Sequence, residues 1–261
     1  MTLRSALRSV ARDRVIRKRL PSDLGGGVLF CSPDALLSTW KPGWRSEQTL
    51  NLFQWARRFV APGQVVWDIG ANQGLFSFAA AATAGTSGHV VAFEPDLFLA
   101  GLLYRTRQVK SGSAPVDILP VAVSGSAGLA TFCVAAKDRA LNHLADLVGN
   151  PHTGGARERF AVVTVTLEEM AQHLPQPDLI KIDVEGGELA VLEHAGTQLL
   201  EHVRPRWIIE VAAENVAGVA DILRSVNYRF FNANEPAQEV ERPVWNTLAI
   251  PAESCESDRN A

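Results

Sequence analysis

An acidic residue and two glycines end an apolar run in Val65–Gly74, whose sequence is VVWDIGANQG. An alanine-rich segment with a helical pattern follows directly. A strand that enters a glycine turn and then a helix presents unpaired backbone N–H groups at the start of that helix. Glycine in such a turn also lets a ligand come close to the backbone. The segment is therefore typical of a nucleotide or nucleoside site.

The carboxylate of Asp68 narrows the choice of ligand. It would repel a phosphate, whereas it would attract a cationic ligand or a sugar hydroxyl. S-adenosylmethionine is a nucleoside that carries a positive charge, so it fits this turn. Glu94 lies one predicted strand later, about where an acid accepts hydrogen bonds from both ribose hydroxyls in a doubly wound fold.

NAD is the competing cofactor, because NAD sites share the spacing to Glu94. The G-x-G-x-x-G fingerprint, however, would need glycines where this chain has Asn72 and Leu75. It would also place a pyrophosphate beside Asp68. An NAD-dependent oxidoreductase is thus the alternative function, together with a non-catalytic cofactor-binding module of the same fold. The plainest alternative is a structural turn followed by an exposed acid.

Further acids end two later predicted strands: Asp183 with Glu185, and then Glu210. The carboxyl ends of parallel strands meet at one edge of a sheet, where ligands bind. A hydroxyl nucleophile needs a base or a metal to remove its proton, and these three carboxylates are the catalytic candidates. Their oxygens could also bind Mg²⁺, although none is assigned as a metal ligand. The alternative for Asp183 and Glu185 is capping of the helix that starts near Glu188.

Strands alternate with helical segments along the chain, which predicts an α/β fold with a mostly parallel sheet. The predicted helices span 46–59, 75–83, 97–109 and 216–225, with another through Leu189, Leu192, Ala195 and Leu199. The predicted strands span 64–69, 89–93, 116–124, 130–134, 160–166, 179–183, 207–211, 228–231 and 247–250. Residues 137–157 carry charges and turn formers, which favours a mobile loop beside the site.

The length of 261 residues suits one α/β domain with a modest extension. The first 20 residues hold seven basic side chains against a single acid, although the whole chain has a net charge of −3. Such a basic arm could contact an anionic partner, and its simplest interpretation is a solvated, partly helical arm. Nucleic acid is disfavoured as substrate, because the chain lacks an Asn-Pro-Pro-Tyr-type motif and aromatic–basic interleaving.

Cysteine usage and hydropathy predict a cytoplasmic protein without a membrane span. Cys31, Cys133 and Cys255 lie far apart, so a disulfide framework or a zinc site is not expected. The basic N-terminus lacks the apolar core of a signal peptide. No apolar run approaches the roughly 18 residues needed to cross a bilayer.

The ordered motifs resemble the FkbM family of S-adenosylmethionine-dependent methyltransferases, which belongs to the seven-stranded, Rossmann-like class I methyltransferases. The resemblance covers roughly residues 60–251. It rests on Trp67–Gly74, Phe93-Glu94-Pro95, Ala122-Val123-Ser124, Lys181–Gly186 with the helix that follows, and Trp245–Pro251. The first motif is common among methyltransferases, whereas the block that begins at Lys181 is more specific.

The resemblance implies a mostly parallel seven-stranded sheet with helices on both faces. The methyltransferase domain would span residues 46–251, after a basic extension and cap (1–45) and before a polar tail (252–261). The implied cofactor-binding residues are Asp68, Gly70, Ala71, Asn72 and Gly74 for the methionine and ribose, Glu94 with Pro95 for the ribose hydroxyls, Ala122 and Val123 for the adenine, and Asp183 at the same edge. The implied reaction is O-methylation of a hydroxyl on a small molecule, a sugar or a secondary metabolite.

Overall fold

The structure, a computed structural model, describes residues 10–145 and 154–257. Its strands are β1 Ile16–Arg19, β2 Val28–Cys31, β3 Val65–Ile69, β4 His89–Phe93, β5 Val116–Leu119, β6 Ala122–Val123, β7 Gly128–Ala135, β8 His143–Leu144, β9 Ala156–Val165, β10 Leu179–Ile182, β11 Arg206–Glu210, β12 Tyr228–Asn232, β13 Glu235–Val240 and β14 Asn246–Pro251. Its α-helices are α1 Glu47–Phe59, α2 Leu75–Ala84, α3 Leu97–Val109, α4 Leu167–Ala171, α5 Glu188–Glu193, α6 Val216–Ser225 and α7 Ala252–Ser257.

The main sheet has the strand order β13-β12-β14-β11-β10-β3-β4-β5. Strands β11, β10, β3, β4 and β5 pair in parallel, and β14 runs antiparallel to both β11 and β12. The chain adds strands on one side of β3 and then returns to add β10 on the other side. The crevice at the carboxyl ends of β3 and β10 is therefore the switch point where such sheets bind ligands. The predicted α/β, Rossmann-like fold of class I methyltransferases is confirmed.

Among the described residues the main sheet has eight strands, one more than the seven predicted. The additional strand, β13, forms an antiparallel hairpin with β12 at the edge of the sheet. Its sequence EPAQEV is polar, and its side chains are exposed or half-buried. An edge strand that buries neither face has no apolar alternation for a sequence pattern to detect.

Helices cover both faces of the main sheet, as predicted. Side chains alternate between the faces along each strand. Val66 of β3 packs into the core formed with α1 and α2, whereas Trp67 and Ile69 pack into the core formed with α5 and α6. Asp68 follows the same alternation and points toward α2, where it accepts a hydrogen bond from Ser77. The sheet thus carries one internal carboxylate between two apolar layers.

The predicted strand over residues 116–124 is two strands in different sheets. Strand β5 ends at Leu119, and Pro120 follows, which has no N–H for a sheet ladder. Strand β6 then joins a second sheet of order β6-β9-β7-β8. The strands predicted at 130–134 and 160–166 form the antiparallel centre of this second sheet as β7 and β9.

The predicted loop 137–157 contains regular structure in its described part. A 3-10 turn spans Arg139–Leu141, strand β8 follows, and β9 begins at Ala156. Residues 146–153 of the loop lie outside the described residues.

The helix predicted through Leu199 ends at Glu193. Gly196 adopts a φ of 73°, and a Cβ there would lie 2.7 Å from Cγ of Glu168. The chain resumes as a π-helical segment at Gln198–Val203. Leu192, Ala195 and Leu199 are nevertheless all fully buried, so the apolar face was predicted correctly and its helical continuity was not. Within the described part of the chain, no helix is both long and apolar enough to span a membrane.

The segment before α1 packs on the domain as a β-hairpin of β1 and β2. Leu20, Leu24 and Leu29 belong to the same core as α1 and α2, and the backbone N–H of Phe30 donates to Oγ1 of Thr106 on α3. The prediction of a partly helical arm is therefore wrong for residues 16–19, which form strand β1. Residues 1–9, with Arg4 and Arg8 of the basic arm, and residues 258–261 of the predicted tail lie outside the described residues.

Candidate active site

Backbone packing fixes the glycine turn between β3 and α2. Gly70 has a φ of 77°, and a Cβ at this position would lie 2.0 Å from the carbonyl oxygen of Asp183. Gly74 has a φ of 82°, and a Cβ there would lie 2.4 Å from Cδ2 of Leu103. Both positions therefore require glycine for its backbone conformation and for its lack of a side chain. Asn72, between them, is also left-handed with a φ of 53°.

Glu94 holds the turn from the neighbouring strand end. Its two carboxylate oxygens accept the backbone N–H groups of Asn72, at 2.7 Å, and of Asp96, at 2.8 Å. Burial, reinforced by the nearby Asp96 charge, raises the pKa of Glu94 to about 8 despite these hydrogen bonds. The side chain lies on the wall of a cavity while only 5% of the residue is exposed.

Asp68 is fully buried and lies behind the cavity wall, and its role in the cofactor site stays a prediction. It accepts a hydrogen bond from Oγ of Ser77 at 2.5 Å, and its Oδ1 lies 3.4 Å from Nζ of Lys181. The same ammonium lies 3.1 Å from Oδ2 of Asp183. Burial opposes the charge of Lys181, yet the Asp183 and Asp68 carboxylates raise its pKa above the usual value. Asp68 therefore holds Lys181 from behind, at the cavity wall.

Asp183 and Glu210 form a carboxyl pair on the cavity wall. Glu210 ends β11, next to β10, and its pKa is raised to about 9 by burial, by the Asp183 charge and by a hydrogen bond to Asp183. Burial and the neighbouring Asp183 charge thus favour the protonated form of Glu210, which can donate a hydrogen bond to Asp183. The backbone N–H of Asp183 donates to the carbonyl of Ile69 at 3.1 Å, which ties the pair to the end of β3.

Glu185 also lines the cavity, on a left-handed backbone with a φ of 51°. Its pKa is raised to about 8 by burial and by the charges of Asp183 and Glu188. The helix-cap alternative for Asp183 and Glu185 is wrong. The N-cap of α5 is Gly187, which provides no side-chain cap, and the acid of the first turn is Glu188.

The cavity has a volume of about 410 Å³ and opens at the carboxyl edge of the parallel strands. The predicted residues on its wall are Gly70, Ala71, Asn72, Glu94, Pro95, Ala122, Val123, Asp183, Glu185 and Glu210. Gly74 and Asp68 lie behind that wall. The structure therefore brings the predicted cofactor turn, the predicted adenine border and the predicted catalytic acids to a single cavity.

The rest of the wall comes from distant parts of the chain that were not predicted individually. Its additional members include Ala35, Leu36, Thr49, Trp55, Arg139, Asn142, His143, Lys181, Trp245 and Asn246. The sequence contained a signal for Lys181, because a lysine inside an apolar strand must be paired when it is buried. Arg139 had none, since its partners are far away in sequence. Trp245 is 58% exposed, which is high for a tryptophan.

Across residues 10–145 and 154–257, no group of three or more His, Cys, Asp or Glu side chains has an arrangement that could hold a metal ion. At the carboxyl pair, the ammonium of Lys181 lies against Asp183. Cys31 and Cys133 are buried free thiols, and the side chain of Cys255 lies outside the described residues.

Comparison with known proteins decides the family. The profile of the methyltransferase FkbM domain matches residues 68–230, more than half of the chain. The chain belongs to the FkbM methyltransferase family. Among curated proteins, it is 27% identical over 131 residues to a hexuronic acid methyltransferase, AglP, of Haloferax volcanii. That match covers 49% of this chain and 48% of the relative, so the chain spans about half the length of the curated relative it matches.

Several solved methyltransferases align with this FkbM-family chain at low identity. A 16S rRNA methyltransferase of T. thermophilus, in complex with AdoMet and guanosine, aligns with a TM-score of 0.48 and 13% identity, over 91% of this chain and 50% of that one. A tRNA uracil methyltransferase of Pyrococcus abyssi aligns with a TM-score of 0.45 and 14% identity, over 90% and 44%. A precorrin-6y methyltransferase of Geobacter metallireducens aligns with a TM-score of 0.39 and 13% identity, over 80% and 87%.

Proposed function

We propose that the protein is an S-adenosylmethionine-dependent O-methyltransferase that acts on a hydroxyl of a glycan or another small hydroxylated molecule. The observation that carries this proposal is the Asp183–Glu210 carboxyl pair, which lies on the wall of the cavity that also holds the glycine turn and Glu94. Family membership supports the methyl-transfer part of the proposal.

The residues of the cavity fit the proposed cofactor. A volume of about 410 Å³ lies within the usual range for small-molecule sites. Each oxygen of Glu94 accepts a single backbone hydrogen bond, at Asn72 or at Asp96, and has a further lone pair for a ribose hydroxyl. Asp183 supplies negative charge toward a cationic ligand, and Glu185 adds to it when it ionises, with a pKa of about 8. Ala122 and Val123 supply apolar surface for the adenine ring.

The bound cofactor would supply a methyl group that is already activated by its positively charged sulfur. The protein then has to align the acceptor oxygen, exclude water and take up one proton. Because Glu210 stays protonated up to a pH of about 9, the Asp183 carboxylate is the member of the pair that can accept the hydroxyl proton. Lys181 and Glu210 hold that carboxylate in place from two sides. Glu185 is the second candidate for proton uptake.

A sugar ring suits the outer part of the cavity. Trp245 offers an exposed aromatic surface there, and Asn246 beside it pairs with Glu210 across β11 and β14. An aromatic face packs against the apolar C–H face of a pyranose, while amide and carboxyl groups bind its hydroxyls. The hexuronic acid methyltransferase relative supports the same acceptor class.

Two measurements test this proposal. Calorimetry with S-adenosylmethionine and S-adenosylhomocysteine should detect binding of both, and a folded protein that binds neither rules out the cofactor. Mass detection of methyl transfer onto a panel of sugars and hydroxylated metabolites should identify an acceptor. We expect the same rate with and without EDTA, because Lys181 already neutralises Asp183; a loss with EDTA would instead assign Mg²⁺ to the site. A protein that binds the cofactor and methylates nothing would be a binding module.

A further inference from the structure

Arg139 is a buried arginine that joins three separate parts of the chain. Its side chain is 6% exposed, and its Nε donates to Oδ2 of Asp34 at 2.8 Å. Its other nitrogens donate to Oδ1 of Asp13, at 2.9 Å, and to Oδ2 of Asp96. The guanidinium also lies 4.6 Å from the ring centroid of Phe98. A planar, permanently charged group with five N–H donors holds three carboxylates in fixed directions, a geometry that the single ammonium nitrogen of a lysine does not reproduce.

Asp96 connects this arginine to the proposed ribose site. Its side chain caps α3 by accepting the N–H of Phe98 at 2.9 Å, and its backbone N–H donates to Oε1 of Glu94 at 2.8 Å. Only 2% of the Asp96 side chain is exposed. The position of Glu94 therefore depends on Asp96, and Asp96 depends on Arg139 for its counter-ion.

Asp96 and Arg139 also bind the segments that cover the cavity on the side opposite Glu94. The amide Nδ2 of Asn142 donates to Oδ2 of Asp96 at 2.9 Å, and the backbone N–H of Arg139 donates to the carbonyl of Asp34 at 3.0 Å. Arg139 and Asn142 both line the cavity, as does Ala35, the residue after Asp34. The guanidinium of Arg139 thus contacts Asp96, behind the proposed ribose site, and Asp34, in one covering segment. Arg139 itself belongs to the other covering segment.

We propose that Arg139 is a positioning residue of the cofactor site, which holds Glu94 in place through Asp96 and fastens residues 138–144 and the segment at Asp34 over the same cavity. The inference rests on the proposed function only for the choice of ligand in one of its tests.

The charges around Glu94 predict how its pKa should change in variants of Arg139 and Asp96. The acids facing it are Asp96 and Asp68, and the backbone N–H groups of Asn72 and Asp96 oppose their effect. Arg139 neutralises Asp96, and Lys181 neutralises Asp68. Loss of Arg139 leaves the Asp96 charge uncompensated and should raise the pKa of Glu94 further. Removal of the Asp96 charge should lower it.

Hydrogen exchange tests the positioning role without any ligand. In Arg139→Gln, the amides of Asn72 and Asp96 should exchange at least about tenfold faster than in the wild type, because their acceptor Glu94 is no longer fixed. Arg157→Gln is the matched control, since Arg157 bonds Asp34 from the other side and should leave both amides unchanged. Arg139→Lys gives a second variant if Arg139→Gln does not fold. Unchanged exchange in a folded Arg139 variant overturns the proposal.

The pH dependence of S-adenosylhomocysteine binding separates positioning from general destabilisation. Binding should strengthen as Glu94 ionises, with a midpoint that moves up by about 1 pH unit in Arg139→Gln and down by about 1 unit in Asp96→Asn. Asparagine still caps α3, so Asp96→Asn keeps the helix start. Equal midpoints in all variants, or shifts in the same direction, contradict the proposal. Absence of binding by the wild type contradicts the proposed function instead and leaves the exchange test decisive.

Discussion

The wall that carries the glycine turn and the wall that covers it are constructed in different ways. The first comes from residues 70–95, a continuous stretch whose backbone groups and one carboxylate make the contacts. The second combines Ala35, residues 138–144 and Trp245, which are far apart in the chain. Ion pairs of Arg139 with Asp34 and Asp96 fasten the first two of these segments, whereas Trp245 lies outside those ion pairs.

Under the proposed function, the first wall binds the cofactor and the second wall binds the acceptor. Backbone geometry that admits only glycine tolerates little change, which suits a cofactor shared across a family. Side-chain surfaces on connecting segments can change without loss of the sheet, which suits an acceptor that differs among relatives. The predictions below test this contrast.

The largest effect should follow from Gly70→Ala. The added Cβ would lie 2.0 Å from the carbonyl oxygen of Asp183, so the ends of β3 and β10 must separate. We expect a loss of several kcal/mol in the free energy of unfolding, from overpacking and left-handed strain together, and no measurable cofactor binding. Denaturant titration and calorimetry measure the two effects.

The control for Gly70→Ala is Gly43→Ala. Gly43 has a similar φ of 70° but no neighbour within 4 Å of the added Cβ. It should cost only about 1 kcal/mol, the strain of the left-handed backbone alone. Equal losses for the two variants would show that the turn is not held by close packing.

Asp183→Asn should lower turnover by about 10²-fold, because the acceptor hydroxyl loses the carboxylate that takes its proton. The amide keeps the shape of the side chain, so cofactor affinity should change much less than turnover. Steady-state kinetics and calorimetry give the two values. Asp117→Asn, at a surface ion pair with His89 away from the cavity, is the control. Turnover that equals the wild type removes Asp183 from the proton transfer.

Trp245→Ala should raise the acceptor KM about tenfold and leave the cofactor Kd unchanged, because only the covering wall loses a surface. Trp245→Phe should recover most of the affinity. Leu129→Ala tests whether loss of any exposed apolar side chain has this effect, since Leu129 is 78% exposed and does not line the cavity. A change in cofactor Kd in Trp245→Ala would mean that the two walls are not separable.

The last prediction concerns the pH dependence of stability. Glu210 holds its proton up to a pH of about 9 in the folded protein, whereas an unfolded glutamate loses it near pH 4.5. The folded state therefore binds more protons within this window, and the free energy of unfolding should fall as pH rises through it, by at most about 1.4 kcal/mol per pH unit for this group. Glu94 and Glu185, with pKa values of about 8, act in the same direction.

Denaturant titrations of the ligand-free protein at several values between pH 5 and 9 measure this slope. Glu210→Gln should make the slope shallower by the share of this group, because the amide does not titrate, whereas Glu94 and Glu185 still do. A wild-type profile that rises with pH in this window would show that the carboxyl pair is ionised.

The parts of the fold with local signals could be predicted from the sequence. Strand β4 and helices α3 and α6 have the bounds that were predicted. Gly88 and Pro95 flank β4, and the Asp96 cap marks the start of α3. Glu94, Asp183 and Glu210 reach the same cavity because parallel strands deliver their carboxyl ends to one edge. Their roles stay predictions.

The parts that depend on distant partners could not be predicted. Nothing near Arg139 in the sequence indicates that Asp13 and Asp34 will surround it, and the split at Pro120 requires a second sheet to receive β6. The burial of Asp68 depends on Ser77 and Lys181 together. An apolar pattern records which face is buried, but it carries no information about which charged groups will meet there.

The hydrogen bonds that close the cavity connect residues with large separations along the chain. Arg139 is 126 residues from Asp13, and Nε1 of Trp55 donates to Oδ1 of Asn234 across 179 residues. Contacts between such distant positions form slowly, because the intervening loop must be ordered first. During synthesis the segment before α1 leaves the ribosome long before Arg139 and Asn234 do. We therefore expect the contacts of the covering wall to form late in folding.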